Sequence, residues 1–510
     1  MGERDEDAKA LRVAKALKNA DNWKHLARWR GAGYYELQTE DTAGVPVRLF
    51  FTKALLDAAE DILYRQIVNA TRFPGVRLVV ITPDAHYGYG VPVGCVLVTD
   101  AESGAIAMGP VGYDVGCGMM SARSEVEAEA ATPERRLAFN RAVMERVDMG
   151  AGGKSKRLAA LTSGEFENLV RGGAEYYVER YGATFDRSRA ERHRIPVDDS
   201  WQIPYGGKGK PERGREQMGS LGGGNHFIEL QRSEQAGTLF LQVHTGSRGF
   251  GHGLATNYFE LAREEKPAQI TDIDLGYFTP DSRHYRDYQN AVAAGGNYAI
   301  LNRLIIFEQV AEAFREVFGS DLELVYEISH NLVQREWHPD FGEVWVHRKG
   351  ATRAFPAGHP LLKGTAWEET GHPVLIPGSN KDWSYILRPL AAAVNSGYSV
   401  NHGAGRRLSR GAANRELSQR AIDDEYREAG IVVNVNGRVP LDEAAPAYKS
   451  SQDVIEAVTG AGLARIEHAL YPLASLKGVD GGGKGKKRFK GGKGARGGGK
   501  SEGKKTSQHY

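Results

Sequence analysis

Apolar and polar positions along the chain alternate between the spacing of helices and the spacing of buried strands. Residues 5 to 70 have an apolar spacing suited to helices, interrupted at Gly31 to Gly33 and by the β-rich segment PVRLFFT. From Val76 onwards, the runs VRLVVIT and CVLVTD predict two short buried strands. The segment PDAHYGYGVPVG, which carries glycine and histidine, connects them. We therefore predict a strand, a loop and a strand in this region.

Further along, helical and strand-like segments are separated by glycine-rich turns. Residues 131 to 190 and Tyr288 to Phe318 have mainly helical spacing, whereas LFLQVHTGS and LELVYEIS are typical of buried strands. Residues 194 to 224 are rich in proline, glycine and charge, which predicts an exposed functional loop. Ser450 and Asp453 have the spacing of a capping box ahead of VIEAV, and this spacing predicts the start of a helix.

The summed charge hides two segments of opposite sign. The 510 residues contain 66 Lys and Arg against 64 Asp and Glu, a net charge of +2. Residues 481–510 hold eight Lys, two Arg and one Glu, so they carry +9 and leave −7 for residues 1–480. Because residues 481–510 are Gly/Lys-rich and nearly devoid of apolar residues, we predict a disordered basic tail whose Phe489 could stack on a base. A merely solubilising tail is the alternative.

The length and composition indicate a folded protein without a membrane segment. With 41% hydrophobic residues the body can bury a large core, as one large domain or as two or three smaller ones. No run approaches the 18 or so apolar residues that span a membrane, and the charged start MGERDEDAKA lacks the apolar stretch of a secretory signal. Cys95 and Cys117 are the only cysteines, which excludes a disulfide framework. We expect a cytoplasmic protein.

Side chains suited to metal binding and catalysis occur in short turns beside strand-like runs: Asp114, Cys117, His226, His244, His330 and His402. The segment DVGCG allows a carboxylate and a thiolate to face one ion, or the thiolate to bridge two. Three imidazoles, one thiolate and one carboxylate suit Mn, Co or Zn better than Ca or Mg. A single histidine is more often a surface or core residue, and a free cysteine is commonly a small buried hydrophobe. The joint occurrence favours the metal hypothesis.

Three glycine-rich turns are candidate phosphate cradles, GSLGGGNH at 219 to 226, PGSN at 377 to 380 and HGAGR at 402 to 406, although tight turns that need positive φ are the alternative. No K-x-D-G or H-E-x-x-H motif occurs, and Asp148 stands where a P-loop ending at Ser155 would need glycine. Histidine can instead hold a nucleotide covalently, and His402 is the candidate. Arg406 or Lys349 could neutralise phosphate oxygens.

Nine motifs, taken in order, resemble those of the RNA-splicing ligase RtcB family. They are PDAHYGYGVPVG, GPVGYDVGCGM, GSLGGGNHFIEL, VHTGSRGFGH, SHNLV, HRKGATRAFPAGHP, PGS, NHGAGR and LASLKG, across roughly residues 70 to 478. The resemblance implies an α/β (α+β) fold with mixed sheets, surrounding helices and a central metal cleft, in a single domain over residues 1–480. It also implies a GTP- and Mn-dependent RNA ligase. Such ligases join RNA 2′,3′-cyclic-phosphate or 3′-phosphate ends to 5′-hydroxyl ends through a histidine-GMP intermediate, in tRNA splicing or RNA repair.

Applied to this chain, the resemblance implies two Mn ions that share Cys117, one also held by His226 and His244, the other by Asp114 and His330. His402 would carry GMP. The implied nucleotide contacts are Asn225, His226, Phe227, Ile228, Glu229, His330, Asn331, Pro377, Gly378, Ser379, Asn380, Ser384, His402, Gly403, Ala404, Gly405 and Lys477. We expect RNA or phosphate contacts from Arg248, Lys349, Arg353 and Arg406. Glu229 would favour GTP over ATP, because a carboxylate accepts hydrogen bonds from guanine N1 and N2.

The chain departs from the family pattern in two places. After PGS the family usually has Met-Gly-Thr-Ala-Ser-Tyr, whereas Asn380-Lys381-Asp382-Trp383 precede Ser384-Tyr385 here. The basic segment 481–510 also lies beyond the usual end of the family, which suggests a divergent paralogue. The expected partners are RNA ends, GTP and an archease-type activator. Two alternatives stay open: a metal-dependent RNA end-processing enzyme, acting by cyclic-phosphate hydrolysis or 3′-end guanylylation, and an RNA-binding repair accessory that does not ligate.

Overall fold

Residues 17–183, 185–190 and 194–478 are described by the computed structural model. The strands are β1 (Arg28–Arg30), β2 (Tyr34–Leu37), β3 (Val47–Leu49), β4 (Val76–His86), β5 (Val93–Asp100), β6 (Ile106–Ala107), β7 (Gly118–Glu127), β8 (Phe227–Ser233), β9 (Thr238–Thr245), β10 (Tyr277–Phe278), β11 (Glu323–Ser329), β12 (Asn331–His338), β13 (Gly342–Lys349), β14 (Ala351–Arg353), β15 (Val374–Ile376), β16 (Ser384–Pro389), β17 (Ser399–Asn401), β18 (Val432–Val433) and β19 (Ala464–Lys477). The α-helices are α1 (Trp23–Leu26), α2 (Lys53–Ala58), α3 (Leu63–Ala70), α4 (Pro133–Arg146), α5 (Ser163–Tyr181), α6 (Arg248–Glu265), α7 (Tyr285–Phe318), α8 (Arg410–Glu416), α9 (Gln419–Glu428) and α10 (Ser451–Gly460).

Two large mixed sheets form the framework of the described residues. The first has seven strands in the order β1-β2-β3-β4-β5-β13-β12. The second has eight, of which seven follow the order β11-β7-β9-β8-β19-β16-β15 and the eighth, β18, lies beside β19. Neighbouring strands in both are antiparallel except β3 with β4, and β18 adds to β19 in parallel. Two pairs of short strands, β6 with β10 and β14 with β17, complete the sheets. The α/β (α+β) class with mixed sheets is confirmed.

The 34-residue helix α7 is the central element of the larger hydrophobic core. Apolar residues occur on all sides of α7, and most of its residues from Tyr288 to Phe314 are buried. This distribution is expected for a helix enclosed by protein on every face. Helices α4, α5 and α6 pack against it, as do β7, β9 and β11. Within the described ranges, no helix is both long and apolar enough to cross a membrane.

The predicted strand, loop and strand unit is confirmed as β4 and β5. Strand β4 is longer than predicted and continues through the PDAH segment to His86. Its pairing with β5 is irregular between Ile81 and His86. There the Asp84 carboxylate is fully buried and accepts a hydrogen bond from the Thr82 hydroxyl at 2.6 Å. A polar side chain in an otherwise apolar run thus marks the place where the strand departs from regular pairing.

Other predicted elements agree with the structure in type, with one correction. The predicted helix start at Ser450 is confirmed, since its hydroxyl accepts a hydrogen bond from the Asp453 amide at 3.4 Å. The loop predicted at 194 to 224 has one 3-10 turn, Pro211–Glu216. It is not fully exposed as predicted, because Trp201 and Ile203 are buried in the core. The division into one domain and a tail stays a prediction, and residues 481–510 lie outside the described residues.

Candidate metal and nucleotide site

Strand register brings the predicted metal ligands together where four neighbouring strands of the eight-stranded sheet begin or end. Gly118, the first residue of β7, pairs with Thr245 at the end of β9 and with Ser329 at the end of β11. Phe227, at the start of β8, pairs with His244. The residues next to these pairs are Cys117, His226 and His330. Five candidate ligands that lie up to 216 residues apart in sequence, counted from Asp114 to His330, therefore meet at a single point.

The candidate ligand atoms form two groups that share Cys117. Cys117 Sγ lies 3.3 Å from His244 Nε2 and 3.6 Å from His226 Nε2. His244 Nε2 is 3.2 Å from His330 Nε2, and His226 Nε2 is 3.1 Å from Asp114 Oδ2. One group is Cys117, His244 and His330, and the other is Asp114, Cys117 and His226. Each offers three ligand atoms of the types that bind first-row divalent metals.

This grouping differs from the pairing that the resemblance implied, because Asp114 lies with His226 and His330 lies with His244. Strand β7 runs between β11 and β9, so Cys117 has His330 on one side and His244 on the other. The Asp114 carboxylate accepts a hydrogen bond from the Ser247 amide at 2.9 Å. It packs directly against Gly246, where a Cβ would overlap with both carboxylate oxygens. Only glycine leaves room there for Asp114 to reach His226.

Hydrogen bonds to carbonyl groups determine which nitrogen of two histidines faces the cluster. His226 Nδ1 lies 3.0 Å from the Leu221 carbonyl oxygen, and His244 Nδ1 lies 3.0 Å from that of Asn225. A carbonyl oxygen only accepts hydrogen bonds, so Nδ1 carries the proton and Nε2 directs a lone pair into the cluster. Several lone pairs thus converge on Cys117. A bound cation satisfies such an arrangement, so the residues fit a metal centre.

The protonation of the cluster follows from its burial. Burial lowers the pKa of His244 and of His330 well below the ordinary value, so both are neutral and able to bind metal. Burial would raise the pKa of Asp114, but its contact with the His226 ring and the hydrogen bond from the Ser247 amide outweigh it and lower the pKa to about 2. Burial and the Asp114 charge raise the pKa of the Cys117 thiol well above its usual value. A divalent cation would favour the thiolate, since coordinated thiols lose their proton.

His402 is held beside this cluster by an aspartate that the sequence reasoning missed. Its ring centroid lies 4.9 Å from that of His330, and its Nδ1 lies 2.6 Å from Asp84 Oδ2. Asp84 Oδ2 also accepts hydrogen bonds from the backbone amides of His402 at 3.1 Å and Gly403 at 3.3 Å. Burial would raise the pKa of Asp84, but its contact with His402 and the hydrogen bond from Thr82 lower it overall. The ionised carboxylate therefore keeps the proton on Nδ1 and leaves Nε2 with a free lone pair.

The predicted base reader, Glu229, lies on β8 among other polar groups. Its Oε1 accepts a hydrogen bond from Gln231 Nε2 at 2.7 Å, and Gln231 also donates to Ser384 Oγ at 3.1 Å. Ser384 Oγ accepts a hydrogen bond from the Gly378 amide at 3.0 Å. Burial raises the pKa of Glu229 to about 7, although the Lys477 charge opposes this rise. Glu229, Ser384, Gly378 and Lys477, four predicted nucleotide contacts, are thus brought together.

Three buried polar atoms in this region lack a hydrogen-bond partner among the described residues, namely Gln231 Oε1, Ser379 Oγ and Asn380 Nδ2. Buried polar atoms in native proteins are usually paired, so these atoms mark a place where a polar ligand fits. Asn380 Oδ1 accepts a hydrogen bond from the Tyr426 hydroxyl, which turns Nδ2 to the other side of the amide. The two bulky residues in the segment that differs from the family pattern contact other groups. Lys381 pairs with Glu425, and the Trp383 ring packs on that of Tyr471 with centroids 5.2 Å apart.

The remaining predicted nucleotide contacts differ in how their side chains lie. Asn331 Oδ1 accepts a hydrogen bond from the Gly350 amide at 2.8 Å, and its Nδ2 donates to the Asp114 carbonyl at 3.3 Å. Phe227 lies under the Lys477 ammonium at 5.3 Å. The Ile228 side chain belongs to the hydrophobic core, so only its backbone is available to a ligand. Asn225, Pro377, Ala404 and Gly405 lie in the adjoining loops.

The predicted phosphate contacts are mostly engaged elsewhere. Arg406 pairs with Glu443 and donates to the Asp442 carbonyl at 2.7 Å. Lys349 Nζ donates to the carbonyls of Tyr89 and Val91, and burial lowers its pKa to about 8. Arg353 is buried with its guanidinium 4.6 Å from the Phe355 ring. Arg248 lies beside the candidate ligand His226, because Gly222 packs against both side chains, and its Nη2 donates to the Gly150 carbonyl at 2.9 Å. Of these four residues, Arg248 has the position that best fits the prediction.

Known proteins match this chain over most of its length. The family model described as tRNA-splicing ligase RtcB matches residues 66–478. A tRNA-splicing ligase RtcB of Pyrobaculum aerophilum is 36% identical over 469 residues, covering 85% of this chain and 95% of the relative. One of Thermococcus kodakarensis is 34% identical with the same coverage. An RNA-splicing ligase RtcB of Mycobacterium tuberculosis is 36% identical over 444 residues, covering 81% of this chain and 100% of the relative.

Proposed function

This chain belongs to the RtcB family of tRNA-splicing ligases, and on that premise we propose a GTP- and Mn-dependent RNA ligase that works through a His402-GMP intermediate. It would join RNA 2′,3′-cyclic-phosphate or 3′-phosphate ends to 5′-hydroxyl ends. One observation carries the proposal: the His402 ring lies 4.9 Å from that of the candidate metal ligand His330, and its Nδ1 is held by Asp84 at 2.6 Å. A nucleophilic histidine next to candidate metal ligands suits nucleotidyl transfer.

The first step follows from the protonation of His402. Its Nε2 lone pair attacks the α-phosphorus of GTP, the phosphorus–nitrogen bond forms, and the bond to the pyrophosphate oxygen breaks. No proton leaves Nε2, because the proton of the neutral ring sits on Nδ1 beside Asp84. The ring gains positive charge as the new bond forms, and the Asp84 carboxylate stabilises that charge. A second transfer would pass GMP from His402 to an RNA 3′-phosphate oxygen as the phosphorus–nitrogen bond breaks. The 5′-hydroxyl oxygen would then attack the activated 3′-phosphate, with GMP as the leaving group.

The candidate ligands would hold two Mn ions, with Cys117 shared between the two groups. When bound, the ions supply positive charge that offsets the charge developing on phosphate oxygens. Hydrogen bonds from Nδ1 to the carbonyls of Leu221 and Asn225 keep His226 and His244 in the metal-binding tautomer. The family resemblance alone supports an archease-type activator and a cytoplasmic location.

Incubation of the full chain with α-labelled GTP and Mn tests the proposal. We expect an acid-labile, alkali-stable label on the protein that disappears in His402→Ala. Intact protein that takes up no label would refute nucleotidyl transfer. Product analysis with a 3′-phosphate strand, with and without a 5′-hydroxyl partner strand, separates ligation from hydrolysis of the cyclic phosphate and from 3′-end guanylylation.

Binding of GTP is expected to depend on pH through Glu229. The pKa of this buried carboxyl is raised to about 7, so the group is ionised above that pH and protonated below it. Only the carboxylate accepts hydrogen bonds from both N1 and N2 of guanine. GTP affinity should therefore fall by up to about tenfold between pH 8 and pH 6. Glu229→Gln should weaken binding by about 10- to 100-fold and remove this pH dependence. Calorimetric titration with GTP at pH 6 and pH 8 measures both effects. An equal change of affinity with pH in the wild type and in Glu229→Gln would contradict the role of Glu229.

Deletion of residues 481–510 is expected to weaken RNA binding and leave GMP labelling of His402 intact. The described chain ends at Gly478, where a Cβ would overlap with the backbone of Gly150 and Gly222, so it ends beside the loop that leads to His226. Loss of ten basic residues should reduce the slope of log affinity against log salt by up to about 7 for single-stranded RNA. Replacing these basic residues with Gln provides a length-matched control. RNA affinity is measured over a series of salt concentrations. If neither variant changes the affinity or its salt dependence, the basic segment does not contact RNA phosphates.

A further inference from the structure

Arg303 on α7 lies fully buried beneath the loops that carry three candidate metal ligands. Its Nη1 donates hydrogen bonds to the carbonyl oxygens of Gly116 at 2.7 Å and of Thr245 at 2.8 Å. Its Nη2 donates to Ser329 Oγ at 2.9 Å. Gly116 precedes Cys117, Thr245 follows His244, and Ser329 precedes His330. Each of the three acceptors is thus one residue away from a candidate ligand.

The fourth partner of Arg303 is the carboxylate of Glu327, which accepts a hydrogen bond from Nε. This ion pair compensates the buried positive charge. The guanidinium is planar and rigid, so its donors hold their acceptors at fixed relative positions. The loop before β7 and the last residues of β9 and β11 are therefore tied to one flat group. Lysine has one flexible nitrogen and cannot reproduce this arrangement.

The neighbouring residue, Asn302, extends the attachment to the other candidate ligands. Its Nδ2 donates to the carbonyls of Ser220 at 3.2 Å and Gly246 at 3.1 Å, and its Oδ1 accepts a hydrogen bond from the Gly219 amide at 2.6 Å. Ser220 precedes Leu221, whose carbonyl orients His226, and Gly246 packs on Asp114. Two adjacent residues of α7 thus contact every loop of the cluster.

We propose that Arg303 is a positioning residue that sets the spacing of Cys117, His244 and His330, and through it the affinity of the site for divalent metal. The proposal rests on the metal centre of the proposed function. A buried arginine elsewhere in the chain shows what a purely structural role looks like. Arg348 pairs with Glu336 through both carboxylate oxygens and donates to Ser399 Oγ at 2.9 Å. None of these partners adjoins a candidate metal ligand.

Arg303→Lys and Arg348→Lys, made in the full chain, form a matched pair. Both proteins are stripped of metal and titrated with Co²⁺, whose thiolate charge-transfer band reports on Cys117, and with Mn²⁺ followed by electron paramagnetic resonance. Both substitutions should lower the melting temperature, because both disturb a buried ion pair. Only Arg303→Lys should raise the Kd for the two metals, by about 10- to 100-fold, and shift the cobalt band. Wild-type affinity and an unchanged band in a folded Arg303→Lys protein would overturn the proposal.

Ser329→Ala covers the case in which Arg303→Lys does not fold. It removes one acceptor and keeps the pair with Glu327, so the melting temperature should stay close to that of the wild type. The Kd for Co²⁺ should rise by about fivefold, the effect of one hydrogen bond. An unchanged Kd would count against positioning through this contact. A wild-type chain that binds neither Co²⁺ nor Mn²⁺ would refute the metal centre of the proposed function. A wild-type chain that binds metal, together with variants of unchanged Kd, would refute only the positioning role of Arg303.

Discussion

Cys117→Ala should abolish ligation and remove both bound metal ions. Cys117 is the only one of the five candidate ligands that belongs to both groups, with Sγ 3.3 Å from His244 Nε2 and 3.6 Å from His226 Nε2. Loss of the shared thiolate leaves each ion with two of its three protein ligands. Metal content measured on the purified protein should fall from two ions per chain to less than one, and joined RNA product should be undetectable.

The other buried cysteine provides the control for this prediction. Cys95 lies in β5 within a separate hydrophobic cluster and is fully buried, and burial raises the pKa of its thiol to about 12. Cys95→Ala removes the same atoms from a site without candidate ligands, and it should cost about 1 kcal/mol of unfolding free energy while metal content and ligation persist. Turnover in Cys117→Ala equal to that in Cys95→Ala would refute the role of the thiolate.

Asp84→Asn should slow the transfer of GMP to His402 by up to about 10⁴-fold, the loss that follows when the aspartate behind a catalytic histidine is neutralised. The amide can still accept one hydrogen bond, but it carries no charge to stabilise the histidine ring as the bond to phosphorus forms. The effect should persist across neutral pH, because the pKa of Asp84 is held below its ordinary value and the wild-type group stays ionised. Rapid-quench measurement of the labelled protein gives the rate.

Asp100→Asn is a suitable comparison for Asp84→Asn. Asp100 ends β5 and pairs with Arg77 at the surface at 2.9 Å, so neutralising it changes the charge of the chain equally without touching His402. Its labelling rate should stay within about twofold of the wild type, since surface ion pairs contribute little. Equal rates for the two variants would show that Asp84 has no part in the transfer step.

Much of the fold could be predicted because the relevant patterns are local. The apolar runs of β4, β5, β9 and β11 and the helical spacing of α7 each depend on residues a few positions apart. The predictions failed where side chains met partners outside the pattern. Strand β4 extends to His86 through an irregularly paired stretch in which Asp84 is buried and hydrogen-bonded. The loop 194–224 is partly buried because its apolar residues reach the core.

The candidate site was predicted in its residue types and only partly in its geometry. Asp114, Cys117, His226, His244 and His330 do converge, but their division into two groups follows from strand order in the eight-stranded sheet. Arg406 and Lys349 were expected to contact phosphate. In the structure their charged groups bind Glu443 and the carbonyls of residues 89 and 91. Sequence spacing contains no information on which buried acceptor a long basic side chain will find.

The sequence by itself determined the family, the class of fold, the kinds of ligand atoms and the opposite charges of the body and the C-terminal segment. Tertiary structure alone decided that Asp84 supports His402 across 318 residues and that Arg303 joins Gly116 across 187. The physical reason is range. Periodicity and motif spacing report neighbours within a turn or a strand, whereas hydrogen bonds between distant loops depend on the packing of whole sheets against α7.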